Sequence, residues 1–405
     1  MAEGFFYFYT MAIILFDDNA HQTLLPLTFT RPVADLRIGI LTIAEKWDKL
    51  FNVGYSFYTQ PWLQAKFPVK IEERNLFING SICPDETLVA AVLKLHGNEA
   101  LMHAGKLVAV KLNEKDALGF ESKGVFDKTV ELEHIPNFIT YPEDIFSKNA
   151  VELRKDFDLL TKGRKSAVIS STNTVIGNGF FAEEGAIAEC STFNTTNGPI
   201  YLAKHTEVWE GTHIRGAFAL CEHSQVKMGA KIYGATTVGP YSRVGGEVNN
   251  AVIWGYSSKG HEGYLGNAVL GEWCNIGADT NNSNLKNNYA EVKLWDYTLQ
   301  RFRKTGLQFC GLIMADHAKC GINTMFNTGT VVGVSANVFG AGFPRNFVPD
   351  FAWGGAQGFE VYSVKKMFET AEKVYARRDG RPFDETEQNI LKKVFELTEE
   401  YRKVL

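Results

Sequence analysis

The chain has 405 residues, 45% hydrophobic and 22% charged, and its 42 basic and 46 acidic groups leave a formal net charge of −4. That balance excludes disordered and collagen-like classes and suits a globular chain of two or three domains, each able to bury a core without metal or disulfide staples. No Lys/Arg run exceeds two residues, so a nucleic-acid or anionic-membrane surface has no electrostatic footprint and small-molecule work is the default.

The first ten residues carry the aromatic run Phe5 to Tyr9 without a basic leader, a small-residue cleavage site or a membrane-length apolar stretch. Met11 stands directly before the strand-like run Ala12 to Phe16, so residues 1–10 read as an upstream extension of a cytoplasmic protein with no membrane partner. From 11 to about 160, strand-like runs (Ala12 to Phe16, Leu76 to Ile78, Leu107 to Leu112) mix with a helix-like segment from Val33 to Trp47. This pattern predicts an α/β domain with partly parallel strands. Ligands of such sheets sit beyond the carboxyl ends of the strands, which makes Asp17 to Arg37 the candidate pocket, with Arg31 and Arg37 as phosphate-gripping forks.

From 166 to 345 an apolar residue recurs at every sixth position: Ile169, Val175, Phe181, Ile187, Phe193, then Leu202, Val208, Ile214, Leu220, Val226, Ile232, Val238 and Val244. The stride returns at Leu270 and Ile276 and again from Met314 to Val338, and in the long block six of the seven residues four places on are small (Thr206, Thr212, Ser224, Ala230, Thr236 and Ser242, with Phe218 the exception). Six is neither a helical period nor a simple alternation; it predicts a β-helix whose apolar residues fill a triangular core while small ones fit its corners. Two breaks, Gly246 to Ala268 and Asn281 to Gln308, read as excursions. Residues 359–405 return to helical spacing, with a stop at Asp379-Gly380-Arg381-Pro382 and a cap at Asp384 and Glu387, and serve to pack on or cap the coil. Six dispersed cysteines read as reduced, buried apolar residues.

Behind an α/β domain, the segment Gly260-His261, Tyr264-Leu265-Gly266, Asn275-Ile276-Gly277-Ala278 and Asn284 resembles the bifunctional N-acetylglucosamine-1-phosphate uridyltransferase and glucosamine-1-phosphate acetyltransferase family, in a shorter, divergent branch of sugar nucleotidyltransferases. The resemblance implies a left-handed β-helix, a homotrimer, and acetyl transfer from acetyl-CoA to an amino sugar 1-phosphate followed by coupling to a nucleoside triphosphate with Mg²⁺. It implies His261 as the base that deprotonates the amine, a task suited to a group titrating near neutrality. Tyr264, Asn275 and Asn284 would hold the sugar, and Ala278 would leave room for the acetyl group of acetyl-CoA. Where the family has a basic residue two places after a glutamate, the chain has Asn249 after Glu247; Lys231 and Lys293 are the possible phosphate partners.

The N-terminal half departs further. The stretch after the first strand, Phe16-Asp17-Asp18-Asn19-Ala20-His21, lacks the family's glycine-rich phosphate loop, and Asn79-Gly80-Ser81 stands where a metal-binding aspartate is expected. Asn79 and Gly80 join Arg31 and Arg37 as candidate nucleotide-binding residues; the metal ligand is left open among Asp17, Asp18 and Asp85. The alternatives are a chain with one active domain, a sugar-1-phosphate nucleotidyltransferase or an acyltransferase alone, and a catalytically silent scaffold.

Overall fold

The computed structural model describes residues 11–122 and 124–403, so the expected extension at 1–10 lies outside the described residues. The chain divides into two compact units, one of residues through 24, 30–36 and 41–141, the other of 25–29, 37–40 and 142–405. Among the described residues no helix is long and apolar enough to cross a membrane.

The first unit is built on a six-stranded sheet in the order Ser56–Tyr58, Ala12–Phe16, Arg74–Asn79, Lys106–Asn113, Glu99–His103, Lys128–Glu131. Ala12–Phe16 runs parallel to both neighbours, and Arg74–Asn79 is antiparallel to Lys106–Asn113. One sheet face buries Ile14, Phe16, Phe77, Val110 and Leu112 with Phe120. The helix expected over Val33 to Trp47 is instead a 3-10 turn, Val33–Asp35, and an α-helix, Ile43–Phe51. The helix starts late because Thr42 and Glu45 form a reciprocal capping box: the Glu45 amide donates to Thr42 Oγ1 (3.1 Å) and the Thr42 amide to Glu45 Oε2 (2.7 Å). The apolar spacing before Thr42 has another cause, since Leu36, Ile38 and Ile40 are buried from irregular backbone.

The second unit is a parallel β-solenoid with three faces. One face stacks Phe180–Ala182, Ile200–Leu202, Phe218–Leu220 and Thr236–Val238, and continues through Ala251 to Ile253, Ala268 to Leu270, Leu312–Met314, Thr330–Val332 and Phe347–Val348. The next runs from Ile187–Ala188 through Ser258–Lys259 and Asn275–Ile276 to Ala352–Gly355. The third stacks Thr192–Asn194, His213–Arg215 and Lys231–Tyr233 on the starts of Glu247–Ile253 and Tyr264–Leu270. The stride residues from Leu202 to Val244 all lie in the core, as does the block from Met314 to Val338.

The first coil departs from the six-residue stride. Ala182 and Ala188 take the inward places in register with Leu202 and Val208, which turns Ile187 out to 58% exposure. A five-residue step from Ala188 to Phe193 restores the phase. The stretch Gly246 to Ala268 is also no excursion. Its strands continue the stack, and the coil from Val238 to Ile253 is merely shorter, 15 residues against the 18 from Leu220 to Val238. Glu247–Ile253 and Tyr264–Leu270 absorb the difference by running unbroken across a corner. The second break is a true insertion, carrying the antiparallel hairpin Lys293–Asp296 with Arg301–Lys304.

The helix Pro142–Thr161 belongs to this unit, with Asn149 Nδ2 donating to Ala235 O (2.9 Å) and Thr237 Oγ1 (3.1 Å). The final strand Gly358–Val361 folds antiparallel onto Ala352–Gly355, so Val361 ends a hairpin and the helix begins at Val364. Asp384 caps the next helix, Glu385–Leu397, by accepting from the Glu387 amide.

Candidate functional site

His261 lies exposed at the corner between the second and third faces, between Ser258–Lys259 and Tyr264–Leu270. Ala278 occupies the same corner one coil on, and the two corners are tied by the Asp279 amide donating to Glu262 O at 3.0 Å. The chain can turn here because Gly263 adopts φ +113°; a Cβ there would lie 2.2 Å from the Thr280 carbonyl oxygen. Beneath the loop, Lys259 takes an inward place in register with Val244 and is 1% exposed. Its ammonium donates to the His261 carbonyl, and burial lowers its pKa to about 8.

Tyr264 opens the third face. Its hydroxyl accepts from Asn284 Nδ2 at 3.0 Å and from Asn249 Nδ2 at 3.5 Å, and its amide donates to Asn281 Oδ1 at 2.7 Å. Asn284 also donates to Asn267 Oδ1 (2.8 Å), so an asparagine network orients the phenol. With both contacts spent on accepting, the phenolic proton remains available to an incoming acceptor. Lys231 stands two coils back in register with Glu247, which itself pairs with Tyr264, and its half-exposed ammonium is 3.7 Å from Glu262.

Asn275 lies on the second face, in register with Ser258 and Lys319, three residues before the Ala278 corner. Lys293 stands on the inserted hairpin and lines a cavity whose walls include none of the other candidate residues. The geometry therefore groups His261, Ala278, Tyr264, Asn284 and Lys231 around one edge, with Asn275 approaching it from the adjoining face. Asn249 occupies the place of the expected basic residue, yet it joins the site by reaching Tyr264. Lys259 was hidden because the six-residue stride lapses there; only the observed register reveals an inward lysine.

In the first unit, Asp17 and Asp18 follow the central parallel strand. Asp18 Oδ2 accepts from Asn79 Nδ2 (2.9 Å) and its Oδ1 from the Ala20 amide (2.8 Å), while Asn79 Oδ1 accepts from the Ser81 amide and hydroxyl. The Gly80 amide donates to Phe16 O at 2.8 Å, and a Cβ at Gly80 would sit 3.1 Å from that oxygen. This network closes the carboxyl ends of two parallel strands, the place where α/β sheets bind ligands. Asp17 is buried, accepting from Thr59 Oγ1 (2.5 Å) and the Val33 amide (2.9 Å); burial pushes its carboxyl up to about 7. Asp85 instead caps the helix Glu86–Leu93 and pairs with His134 at 2.7 Å. Arg31 is buried and pairs with Asp35 at 3.0 Å, whereas Arg37 falls in the second unit and donates to the Ile40 carbonyl.

Among the described residues no group of three or more His, Cys, Asp or Glu could hold a metal ion. Both Asp18 oxygens already accept hydrogen bonds, so the residues present form no dedicated cation cage. A Mg²⁺ here would take one or two carboxylates and fill its remaining positions with substrate phosphates and water.

Among solved structures, those similar to this chain include the UDP-N-acetylglucosamine acyltransferases of Francisella novicida (TM-score 0.34, 12% identity, 57% of this chain and 90% of that one) and Campylobacter jejuni (TM-score 0.22, 14% identity, 56% and 83%). A curated relative, the bifunctional protein GlmU of Methanocaldococcus jannaschii, is 32% identical over 87 residues, 22% of this chain. The match spans about a fifth of that relative's length, 21%. Residues 13–165 match the family model for sugar nucleotidyl transferases, and it is over this segment that the chain carries that family's sequence pattern.

Proposed function

We propose that the protein is a cytoplasmic transferase of sugar-nucleotide biosynthesis, with an acyl-transfer site at the His261 corner and a nucleotidyl-transfer site at the Asp18–Asn79 network. The observation that carries the first half is the gathering of His261, Tyr264, Asn284 and Ala278 on adjacent coils of one solenoid edge, with Lys231 alongside. The family match over 13–165 supports the second.

The acyl acceptor is an amino sugar 1-phosphate and the donor acetyl-CoA. His261 accepts a proton from the ammonium-derived amine as its nitrogen attacks the thioester carbon; collapse of the tetrahedral adduct breaks the C–S bond and the thiolate leaves. Tyr264 donates its phenolic proton to a sugar oxygen, and Lys231 offers a charge to the phosphate. Asn275 reaches the acceptor from the adjoining face, and Ala278 leaves space for the acetyl methyl. In the first unit, Asn79, Gly80 and Arg31 line the nucleotide's place, and Asp18 is the carboxylate beside it. We expect a homotrimer, to be checked by light scattering.

Purified protein incubated with acetyl-CoA, glucosamine 1-phosphate, UTP and Mg²⁺ should release free thiol and pyrophosphate, followed separately. His261→Ala should lower thiol release by about 10²- to 10⁴-fold, the usual range for a lost general base. Thiol release at the parent rate in that variant would remove His261 from the chemistry. A second reading, in which only acyl transfer survives, is favoured by Asn79 where a metal-binding carboxylate is expected, and thiol without pyrophosphate is its signature.

A further inference from the structure

The hairpin inserted at the second break encloses, with the last coils, a cavity of about 620 Å³, within the range of small-molecule sites. Its walls bring three cations, Lys286, Lys293 and Arg345, to an aromatic surface of Trp295, Phe302 and Phe347, with Glu400 as the single acid. Trp295 stacks on Phe347 at 4.3 Å and 11°, and Phe302 meets Trp295 edge-on at 5.5 Å. The indole Nε1 of Trp295 is buried without a hydrogen-bond partner, an unmet donor in a folded interior.

The charge placement is equally costly for a purely structural hairpin. Lys293 lies directly opposite Lys304 in the antiparallel register, a like-charge pair that destabilises a two-stranded ribbon. Glu291 pairs with Lys304 at 3.3 Å, and Lys286 donates to the Glu291 carbonyl; among the described residues Lys293 makes no ion pair. An apolar, ring-shaped wall and an excess of positive charge are what a heteroaromatic ring bearing several negative charges would satisfy.

We infer that this cavity binds a nucleoside phosphate, its base against Trp295 and Phe302 and its phosphates toward Lys293, Lys286 and Arg345. The ligand is either a free nucleotide or the nucleotide end of coenzyme A. The inference is independent of the transferase reading, because it requires neither His261 nor the Asp18–Asn79 network. It also gives Lys293 a partner other than the sugar phosphate at the solenoid corner.

Calorimetric titration of the full chain with UTP, ATP and CoA tests it. At least one should bind, weakening as salt rises, and Lys293→Glu should weaken it at least tenfold, the exposed position making misfolding an unsuitable excuse. Trp295→Leu should weaken the same ligand. Preference for CoA over ATP and UTP would assign the coenzyme; the reverse would assign the free nucleotide. Identical affinities and stoichiometries in parent, Lys293→Glu and Trp295→Leu chains, or no binding of any of the three, would overturn the inference. Unchanged binding in the two variants would leave the transferase reading untouched, absence of all binding would count against both, and loss of thiol and pyrophosphate release with binding at the cavity intact leaves this inference standing.

Discussion

Asp17 is held by two hydrogen bonds that favour its charged form, yet burial outweighs them and lifts its pKa from 3.8 to about 7. The folded state therefore keeps a proton that the unfolded chain has lost between those two values. Stability falls as pH rises from about 4 to 7 and then levels off, a penalty on the order of 4 kcal/mol at alkaline pH for this group alone. Asp17→Asn keeps an oxygen for the Val33 amide and carries no charge to desolvate. Denaturant titrations should find the variant more stable than the parent at pH 8 and nearly equal at pH 4; an equal or lower stability at pH 8 would mean that the carboxylate is paid for by a partner in the fold. The sequence places two aspartates after the first strand, but it does not say which is buried. That distinction comes from Thr59 and Val33 on one side and Asn79 on the other, residues brought in by the strands beside Ala12–Phe16 and by the turn Val33–Asp35. Lys259 is a similar case, since a lysine between Ser258 and Gly260 looks like any loop cation until the register with Val244 turns it inward.

At the level of elements, the stride was readable wherever coils keep equal length, because each face then supplies one inward residue per hexad. It fails where corners shorten, as between Val238 and Ile253, and in the first coil, where Ala182 and Ala188 replace larger neighbours at the inward positions. One corner carries a feature with no six-residue signature: His205, His223, Tyr241, Tyr256 and Trp273 all have positive φ and stack ring on ring at 4.2–5.4 Å. Ring stacking of about 0.5–1.5 kcal/mol per pair offsets much of the cost of left-handed backbone at non-glycine residues. The inserted hairpin is fixed differently, through Arg303. Its guanidinium donates to both Glu143 oxygens at 2.7 and 2.9 Å and lies 3.3 Å from Asp296, with Glu143 and Asp296 each 6% exposed on their side chains. Burial already raises the Glu143 pKa against the pull of Arg303. Arg303→Ala should destabilise the protein by about 3–5 kcal/mol, the usual cost of stranding a buried charge. Arg303→Met with Glu143→Met and Asp296→Asn, which leaves neither buried carboxylate stranded, should recover most of it, as read from thermal unfolding; a mild single variant would mean that water reaches these carboxylates.

Over the whole second unit, stability passes from coil to coil, because each coil of a solenoid bonds only to its neighbours. The C-terminal helices act on a limited part of that stack. Tyr375, on Val364–Arg378, stacks on Trp273 at 3.8 Å, and Arg381 lies over Tyr256 and Trp273. Phe395 meets Phe351 edge-on at 5.1 Å and Arg402 covers Phe395, so the last coil is closed by apolar and cationic groups together. The helical spacing of this tail was legible in its sequence; the corner it packs against was not, since Trp273 and Tyr375 are far apart in the chain. Tyr375→Ala removes a buried ring and should cost about 3–5 kcal/mol locally. In a nearest-neighbour stack that loss should appear as faster amide exchange in Leu312–Met314 and Thr330–Val332, with Ile200–Leu202 and Phe218–Leu220 nearly as protected as in the parent. Equal acceleration in all four strands would show a unit that opens as one cooperative block, and the tail would then stabilise the first coils as much as the last.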